Sequence, residues 1–213
     1  MSFPEERAAV TQILKALPDP VCIVELGAQD GGDAAWMLQV LAGRGPRCVL
    51  VEADRINFEL LPPQGFTDTP EGPMVAIYGA IADHTGTCDF WENRDCGGGF
   101  SSIYEPNREH LSVDASQWRK VGPIPCFTFD DLYAKLKLSH IDLLYVDIHG
   151  AEKDMVTHGQ KALKHTKYLF IEAVDYRMYE GAATGEELQA MLPGWKLLET
   201  FPWNILLINM EYE

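Results

Sequence analysis

The sequence predicts an α/β fold: a doubly wound, mostly parallel sheet of seven strands with helices on both faces and an antiparallel C-terminal strand. Apolar runs of strand length alternate with helix-like segments along the 213 residues, a pattern typical of such sheets. A glycine-rich turn follows the first predicted strand, 21–26. Two strands in succession, 195–201 and 205–210, close the chain as a hairpin and therefore predict the antiparallel last strand.

The elements can be placed in order from hydrophobic periodicity and from capping residues. An amphipathic helix over 5–17 is stopped by Pro18, and a Pro-, Gly- and Thr-rich surface loop is expected over 62–73. The remaining predicted helices are 33–42, 54–61, 128–138, 151–165 with a break at Gly159, and 184–193. The remaining predicted strands are 48–52, 74–80, 87–91, 121–127, 141–146 and 168–171.

We expect a single domain over residues 1–213, because a chain of this length builds one full core. The helix over 5–17 is expected to be an appendage to that domain. Residues 93–119 lack regular periodicity but contain glycines and aromatic residues. Long irregular segments inside a compact domain are often functional, so this one is expected to be a lid or a substrate loop.

Composition limits the partners of the protein. With 32 acidic and 17 basic residues, the net charge of −15 repels phosphate backbones and anionic lipids, so we expect a small-molecule substrate and neither nucleic acid nor membrane. The first residues lack a signal pattern, and no apolar run approaches the ~18 residues of a membrane span, so a cytoplasmic protein is expected. The five cysteines lack any C-x-x-C and are expected to be reduced thiols. The oligomeric state is not readable.

The turn after the first strand has the form acid-x-Gly-x-x-x-Gly, with Glu25, Gly27 and Gly31. Gln29 occupies the place where a dinucleotide loop needs its second glycine, so the spacing argues against a pyrophosphate ligand. S-adenosylmethionine (SAM) carries no phosphate and needs a ribose acceptor, an adenine slot and a place for its methionine tail. Backbone amides of Gly27, Ala28 and Gln29 are expected to face that tail.

The second predicted strand supports the same ligand. It ends at Glu52, 25 residues after Gly27, and a carboxylate at that strand end is placed to accept hydrogen bonds from ribose hydroxyls. Strand, glycine turn, helix and acid-terminated strand together therefore predict a SAM site, with Ala53 beside the ribose.

The stretch from Ile141 to Glu152 resembles the signature of the FkbM-like methyltransferases, SAM-dependent enzymes that methylate mainly hydroxyl oxygens. The resemblance covers roughly residues 20–210, and the other matching features follow in the same order: the glycine loop 25–31, Glu52, 80–83, Gly86, 128–132 and Glu172. It implies a Rossmann-like methyltransferase fold and O-methylation of a small molecule such as a sugar, a phenol or a secondary metabolite. Tyr145 stands where the family usually has Lys, and His149 where it usually has an acid or an amide. Both departures bear on the acceptor more than on the cofactor.

The resemblance also suggests roles for individual residues. Ala80, Ile81 and Asp83 would border the adenine. Asp147 would lie at the fourth strand end, against the cofactor and the reacting centre. His149 is the candidate catalytic base, because imidazole titrates closest to neutral pH.

Two features of the site stay open in the sequence. Asp147, His149 and Glu172 could instead gather a divalent metal, since carboxylates suit Mg²⁺ and an added imidazole suits a transition ion. The acceptor pocket is expected to include Ser102 and Tyr104 from 93–119, and Tyr176 and Arg177 from 174–183. Two other functions remain as alternatives: a nicotinamide-dependent oxidoreductase on a similar sheet, and a non-catalytic SAM-binding module.

Overall fold

The computed structural model describes residues 3–61, 74–94, 99–107, 109 and 117–212. The loop expected over 62–73 lies outside these ranges, as does part of the predicted lid over 93–119. The described strands are β1 (Cys22–Leu26), β2 (Arg47–Glu52), β3 (Met74–Tyr78), β4 (Ala80–Ile81), β5 (Gly86–Asn93), β6 (Trp118–Phe127), β7 (Ile141–Val146), β8 (Thr166–Glu172), β9 (Trp195–Thr200) and β10 (Asn204–Asn209). The described helices are α1 (Pro4–Ala16), α2 (Gly32–Val40), α3 (Arg55–Leu60), α4 (Phe129–Leu136), α5 (Glu152–Thr157), α6 (Gln160–Lys164) and α7 (Gly185–Ala190).

The main sheet has seven strands in the order β3-β2-β1-β7-β8-β10-β9. The first five are parallel to one another, whereas β10 pairs antiparallel with both β8 and β9. This confirms the predicted doubly wound sheet with an antiparallel C-terminal strand. The order reverses between β1 and β7, and ligands of open α/β sheets bind at such a reversal, beyond the carboxyl ends of the strands.

The strands predicted over 87–91 and 121–127 form a separate small sheet. Strand β6 pairs antiparallel with β5 and parallel with the two-residue strand β4. The break comes at Gly79, whose φ of 149° and close contact with the Phe127 ring leave little room for a side chain. The sequence predicts the two long strands but not their separation from the main sheet.

Both faces of the main sheet are covered, because its strands are apolar on both sides. One face packs against α4, α5, α6 and α7 through residues such as Leu132, Met155 and Leu188. The other packs against α1 and α2, where Val10, Leu14 and Met37 are buried. Helix α1 thus contributes to the core beneath the first strand of the site.

Several local predictions are confirmed. Thr128 accepts a hydrogen bond from the Asp131 amide at 3.1 Å and caps α4. Thr184 and Glu187 form a capping box that opens α7. The helical segment after β7 breaks at Gly159, where a Cβ would lie 2.4 Å from the Met155 carbonyl oxygen.

Cys22, Cys48, Cys88 and Cys126 are free thiols. No helix in the described ranges is long and apolar enough to cross a bilayer.

Candidate active site

A cavity of about 420 Å³ opens at the carboxyl ends of β1, β2, β7 and β8. Its size falls in the ~300–1,000 Å³ range of sites for small molecules and cofactors. The residues predicted for the site that line it are Glu25, Gly27, Ala28, Gln29, Glu52, Ala53, Ala80, Ile81, Ser102, Asp147, His149 and Glu172. The fold therefore brings together most of the residues that the sequence singled out.

Gly31 and four other predicted residues do not line this cavity. Gly31 precedes α2 with a φ of 80°, so its part is to form the turn. Asp83 is exposed and contacts His84 at 2.7 Å. The chain turns away from the cavity before Asp83. The Ala82 amide donates a hydrogen bond to the Phe127 carbonyl oxygen, and the chain thereby joins the small sheet. Of the three residues expected to border the adenine, Ala80 and Ile81 line the cavity and Asp83 does not.

The predicted acceptor residues divide in the same way. Ser102 lines the cavity, whereas Tyr104 turns away and donates its hydroxyl to Asp154 at 2.5 Å. Arg177 donates to the Ala182 carbonyl oxygen and to Glu187, and Tyr176 is exposed. Of the four, only Ser102 is placed to meet a ligand in this cavity.

The glycine turn packs tightly against the end of β7. Gly27 has a φ of 84°, and a Cβ there would lie 1.8 Å from the Asp147 carbonyl oxygen, so only glycine fits. The amides of Gly27 and Ala28 both donate to the Val51 carbonyl oxygen, at 2.9 and 3.0 Å. The expectation that these amides face a methionine tail is therefore wrong: they bind the turn to β2.

Glu52 is the last residue of β2 and lines the cavity. Its carboxylate accepts hydrogen bonds from the amides of Gln29 at 2.7 Å and Asp54 at 2.6 Å. Burial outweighs these bonds and raises the pKa of Glu52 to about 7. The Gln29 amide is therefore also occupied by a hydrogen bond within the protein. The Glu52 carboxylate lies at the strand end where the sequence analysis expected the ribose acceptor.

Glu25 is the most deeply buried acid of the cavity, with 2% of its surface exposed. Its Oε2 has no hydrogen-bond partner within the described ranges. Burial raises the pKa of Glu25 well above its usual value, and the nearby charges of Asp33, Asp147 and Glu52 raise it further. Such a concentration of acids around an unsatisfied carboxylate fits a cationic ligand, and SAM carries both an ammonium and a sulfonium group.

Asp147, His149 and Glu172 meet at the far wall, where one ligand atom from each lies within 4.8 Å of the others. Nδ1 of His149 is 3.2 Å from Oδ1 of Asp147, but this contact is not a well-aligned hydrogen bond, and Oδ1 lacks a hydrogen-bond partner among the described residues. Burial raises the pKa of Glu172 well above its usual value, and the charges of Asp147 and Glu152 add to the shift.

His149 is held from several sides. Its φ of 50° is left-handed, and its carbonyl oxygen accepts a hydrogen bond from the Ser102 hydroxyl at 2.6 Å. The imidazole lies edge-on to the rings of Phe100 and Tyr179, with centroids 5.7 and 6.0 Å away. Glu152 fixes the same turn by accepting the amides of Ile148 and Gly150, at 3.1 and 2.8 Å.

The sequence analysis missed the wall that comes from the two ends of the chain. The cavity is also lined by Phe3, which precedes α1, by Arg7 of α1, by Trp203 of the β9–β10 turn and by Asn204, the first residue of β10. The Asn204 side chain donates to Glu6 at 2.9 Å and fastens this turn to α1. About 200 residues separate the partners, and the only sequence signal was an aromatic residue in each segment.

Among the described residues that line the cavity, one is a lysine or an arginine, and that residue is Arg7. Its guanidinium contacts Asp33 at 2.9 Å and lies 5.1 Å from the centroid of the Trp36 ring. Asp33 belongs to the first turn of α2, directly after the glycine turn. Helix α1 therefore brings a positive charge to an otherwise acidic end of the site.

The fold and the cavity together define the class of SAM-dependent methyltransferases. The antiparallel β10 lies between β8 and β9, the glycine turn follows β1, and the acid that ends β2 faces the cavity beside it. The unsatisfied carboxylate of Glu25 and the carboxylate of Glu52 can accept hydrogen bonds from the ammonium and ribose hydroxyl groups that SAM carries, so the residues present fit this cofactor.

Comparisons with known proteins identify the family. A family model described as the methyltransferase FkbM domain matches residues 25–197, so the chain belongs to that family. The 2-O-methyltransferase NoeI of Sinorhizobium fredii (strain NBRC 101917 / NGR234) is 32% identical over 194 residues, covering 87% of this chain and 76% of NoeI.

Solved structures agree on the fold. The methyltransferase FkbM from Methylobacillus flagellatus KT has 17% identity and a TM-score of 0.55 over 91% of this chain, which spans 45% of the length of that protein. Cofactor-bound Rv0187 from MTB has 10% identity and a TM-score of 0.58, and the match covers all of this chain and 83% of Rv0187. Membership of the FkbM methyltransferase family also excludes the alternative of a nicotinamide-dependent oxidoreductase.

Proposed function

We propose that this protein transfers a methyl group from SAM to a hydroxyl oxygen of a small molecule, a sugar, a phenol or another hydroxylated metabolite. The observation that carries the proposal is the contact between Asp147 and His149 at the cavity wall. A hydroxyl becomes a good nucleophile when its proton is drawn away, and an imidazole beside a carboxylate suits that task. The name of the relative NoeI, a 2-O-methyltransferase, also supports an oxygen acceptor.

For each part of the methyl donor SAM, the cavity contains residues that suit it. Glu52 would accept the ribose hydroxyls, and Ala80 and Ile81 would border the adenine. Glu25, buried and short of one partner among the described residues, would attract the ammonium group of the methionine tail. When bound, SAM supplies an electrophilic methyl group on a positively charged sulfur.

Methyl transfer is an in-line displacement, so alignment is the main contribution of the protein. The bond from the acceptor oxygen to the methyl carbon forms as the carbon–sulfur bond breaks, and the electron pair stays on sulfur. The hydroxyl proton leaves toward Asp147 and His149. Phe100, Ile103 and Tyr145 add apolar wall to the cavity and would exclude water from the reacting centre.

Titration calorimetry with SAM, and separately with NAD, tests the cofactor on the unaltered protein and on Glu52→Ala. We expect SAM binding that weakens in the variant, and no binding of NAD. Release of S-adenosylhomocysteine is then measured with sugars, phenols and hydroxylated metabolites, and with amines for comparison. Turnover on amines alone would contradict the hydroxyl acceptor. SAM binding without turnover on any acceptor would instead indicate a non-catalytic SAM-binding module.

A further inference from the structure

The cluster of Asp147, His149 and Glu172 is incompletely satisfied by the protein itself. Glu172 is 8% exposed and lines the cavity, and its carboxylate accepts no hydrogen bond from any residue in the described ranges. Oδ1 of Asp147 is also buried without a hydrogen-bond partner among those residues. Burying polar groups without partners is costly, so these two carboxylates call for a positively charged ligand.

Glu152 provides a contrast within the same neighbourhood. It is equally buried, but its two carboxylate oxygens accept the amides of Ile148 and Gly150. Glu152 therefore has a structural role that explains its burial. In the part of the chain that the structure describes, no comparable contact explains the burial of Glu172.

The strand register brings the cluster together. Val146 of β7 pairs with Ile171 of β8, so the next residues, Asp147 and Glu172, leave neighbouring parallel strands at the same level. The left-handed φ of 50° at His149 turns the chain sharply, and Nδ1 of the imidazole comes to 3.2 Å from Asp147. Two carboxylates and an imidazole thus converge on one point of the cavity wall.

We infer that Asp147, His149 and Glu172 bind a divalent first-row transition cation. Carboxylate oxygens suit Mn²⁺ and imidazole suits the later transition ions, so the mixed donor set favours such a cation over Mg²⁺ or Ca²⁺. This inference rests on the proposed methyl transfer and deepens it, because the cation is the means by which the cluster draws the proton from the acceptor hydroxyl.

The geometry permits the site with small adjustments. Ligand atoms at about 2.1 Å from a shared ion lie up to about 4.2 Å apart. The three candidate atoms already lie within 4.8 Å of one another, so small side-chain rotations close the site. Three protein ligands leave positions open for the acceptor. The acceptor hydroxyl would bind there at a lowered pKa, pass its proton to the Asp147 carboxylate oxygen that does not bind the cation, and attack the methyl carbon as the bond from that carbon to sulfur breaks.

Electron paramagnetic resonance of Mn²⁺ added to the metal-free protein tests the site without any methyl transfer. We expect one class of bound Mn²⁺, with affinity reduced at least about tenfold in Glu172→Gln and in His149→Ala. Glu172→Gln keeps the shape of the side chain, and Glu199→Gln, on the exposed β9, is the matched control that should bind Mn²⁺ like the unaltered protein. Absence of bound Mn²⁺, or equal affinity in all these proteins, would overturn the inference.

Turnover after treatment with a chelator separates this inference from the proposed function. Full methyl transfer to a hydroxyl acceptor by the metal-free protein would overturn the cation site and leave the methyltransferase proposal standing. Site-specific Mn²⁺ binding without turnover on any acceptor would support the cation site and count against the proposed reaction. Turnover lost with the chelator and restored by Mn²⁺, but not restored in Glu172→Gln, would support both.

Discussion

Gly27 and Asp147 are packed so closely that a Cβ on residue 27 would lie 1.8 Å from the carbonyl oxygen of Asp147. The two backbones are also joined through β1, since the Asp147 amide donates to the Leu26 carbonyl oxygen at 2.9 Å. The glycine turn and the end of β7 that precedes His149 are therefore packed as one unit. A shift of either would move the other.

Gly27→Ala should disrupt both the fold and SAM binding, because the new methyl group collides with backbone that cannot rotate away. Gly43→Ala is the matched control: its φ of 83° is nearly that of Gly27, at 84°, but nothing lies within 4 Å of the position that its new methyl group would take. Both variants carry the strain of a left-handed alanine, about 1 kcal/mol or more. Thermal unfolding should show a clearly larger loss for Gly27→Ala, and equal losses would contradict the proposed clash.

His149→Ala should reduce turnover by about 10²-fold or more, the usual scale for losing a group that assists proton removal. SAM affinity should change little, since the proposed reaction assigns the imidazole to the acceptor hydroxyl and not to the donor. His140→Ala is a suitable control, because His140 also lies 3.2 Å from an aspartate, Asp142, but outside the cavity. Turnover and calorimetry on both variants check this. An unchanged rate in His149→Ala would remove the residue from the mechanism.

Ser102→Ala should lower kcat while leaving SAM affinity close to that of the unaltered protein. Its hydroxyl donates to the His149 carbonyl oxygen at 2.6 Å and accepts the Tyr104 amide at 2.9 Å, so it positions the histidine. Replacement by Cys or Thr, which retain a donor, should restore more activity than Ala does. A loss of SAM binding that matches the loss of turnover would point to the donor site instead.

Arg7→Met should weaken SAM binding, because Arg7 adds a positive charge to the cavity wall beside α2 and we expect it to attract the carboxylate of the methionine tail. A lost hydrogen bond between charged groups costs about 1.5–3 kcal/mol, or roughly 10- to 150-fold in affinity. Arg55→Met is the matched control. Arg55 likewise pairs with an acid, Glu59 at 2.7 Å, and covers an aromatic ring, Tyr78 at 5.2 Å, but it does not line the cavity. Equal SAM affinities for the two variants would argue against this role.

The unliganded protein should lose stability as pH rises through the weakly acidic range. Burial raises the pKa of both Glu52 and Glu152 to about 7, against an ordinary value of 4.5, so the folded state binds protons that the unfolded chain releases. By linkage, the free energy of unfolding then falls as pH rises from about 4.5 to about 7. Unfolding temperatures across this range should show a smaller slope in Glu52→Gln than in Glu199→Gln, the exposed control. Parallel slopes would mean that Glu52 titrates normally.

Much of the fold was readable because it depends on local patterns. Apolar runs such as 141–146 are buried on both faces of the sheet and cannot be placed elsewhere. The closing hairpin fixed the antiparallel direction of β10. The small sheet of β4, β5 and β6 could not be predicted, because its separation depends on a backbone turn at Gly79 and on pairing partners that are 25 to 46 residues apart.

The site could be predicted from the sequence where its residues lie at the ends of strands. Glu25, Glu52, Asp147 and Glu172 all lie at or next to the carboxyl ends of parallel strands, and parallel strands bring such residues to one edge. Asp83 was placed wrongly, because the chain turns into the small sheet just before it. Arg7 and Trp203 were missed, because nothing in the sequence links residues so far apart until the helix and the hairpin pack together.

The reversed direction of β10 has a consequence for how acceptor choice can change. Because β10 runs against β8, its first residue, Asn204, pairs with Glu172, the last residue of β8, at the edge where the cavity opens. The short turn before Asn204 lies outside the region that the family model matches, residues 25–197. Because Trp203 and Asn204 line the cavity, a change in this turn alters the cavity wall directly, and the turn is therefore a place where a designed library can seek new acceptors.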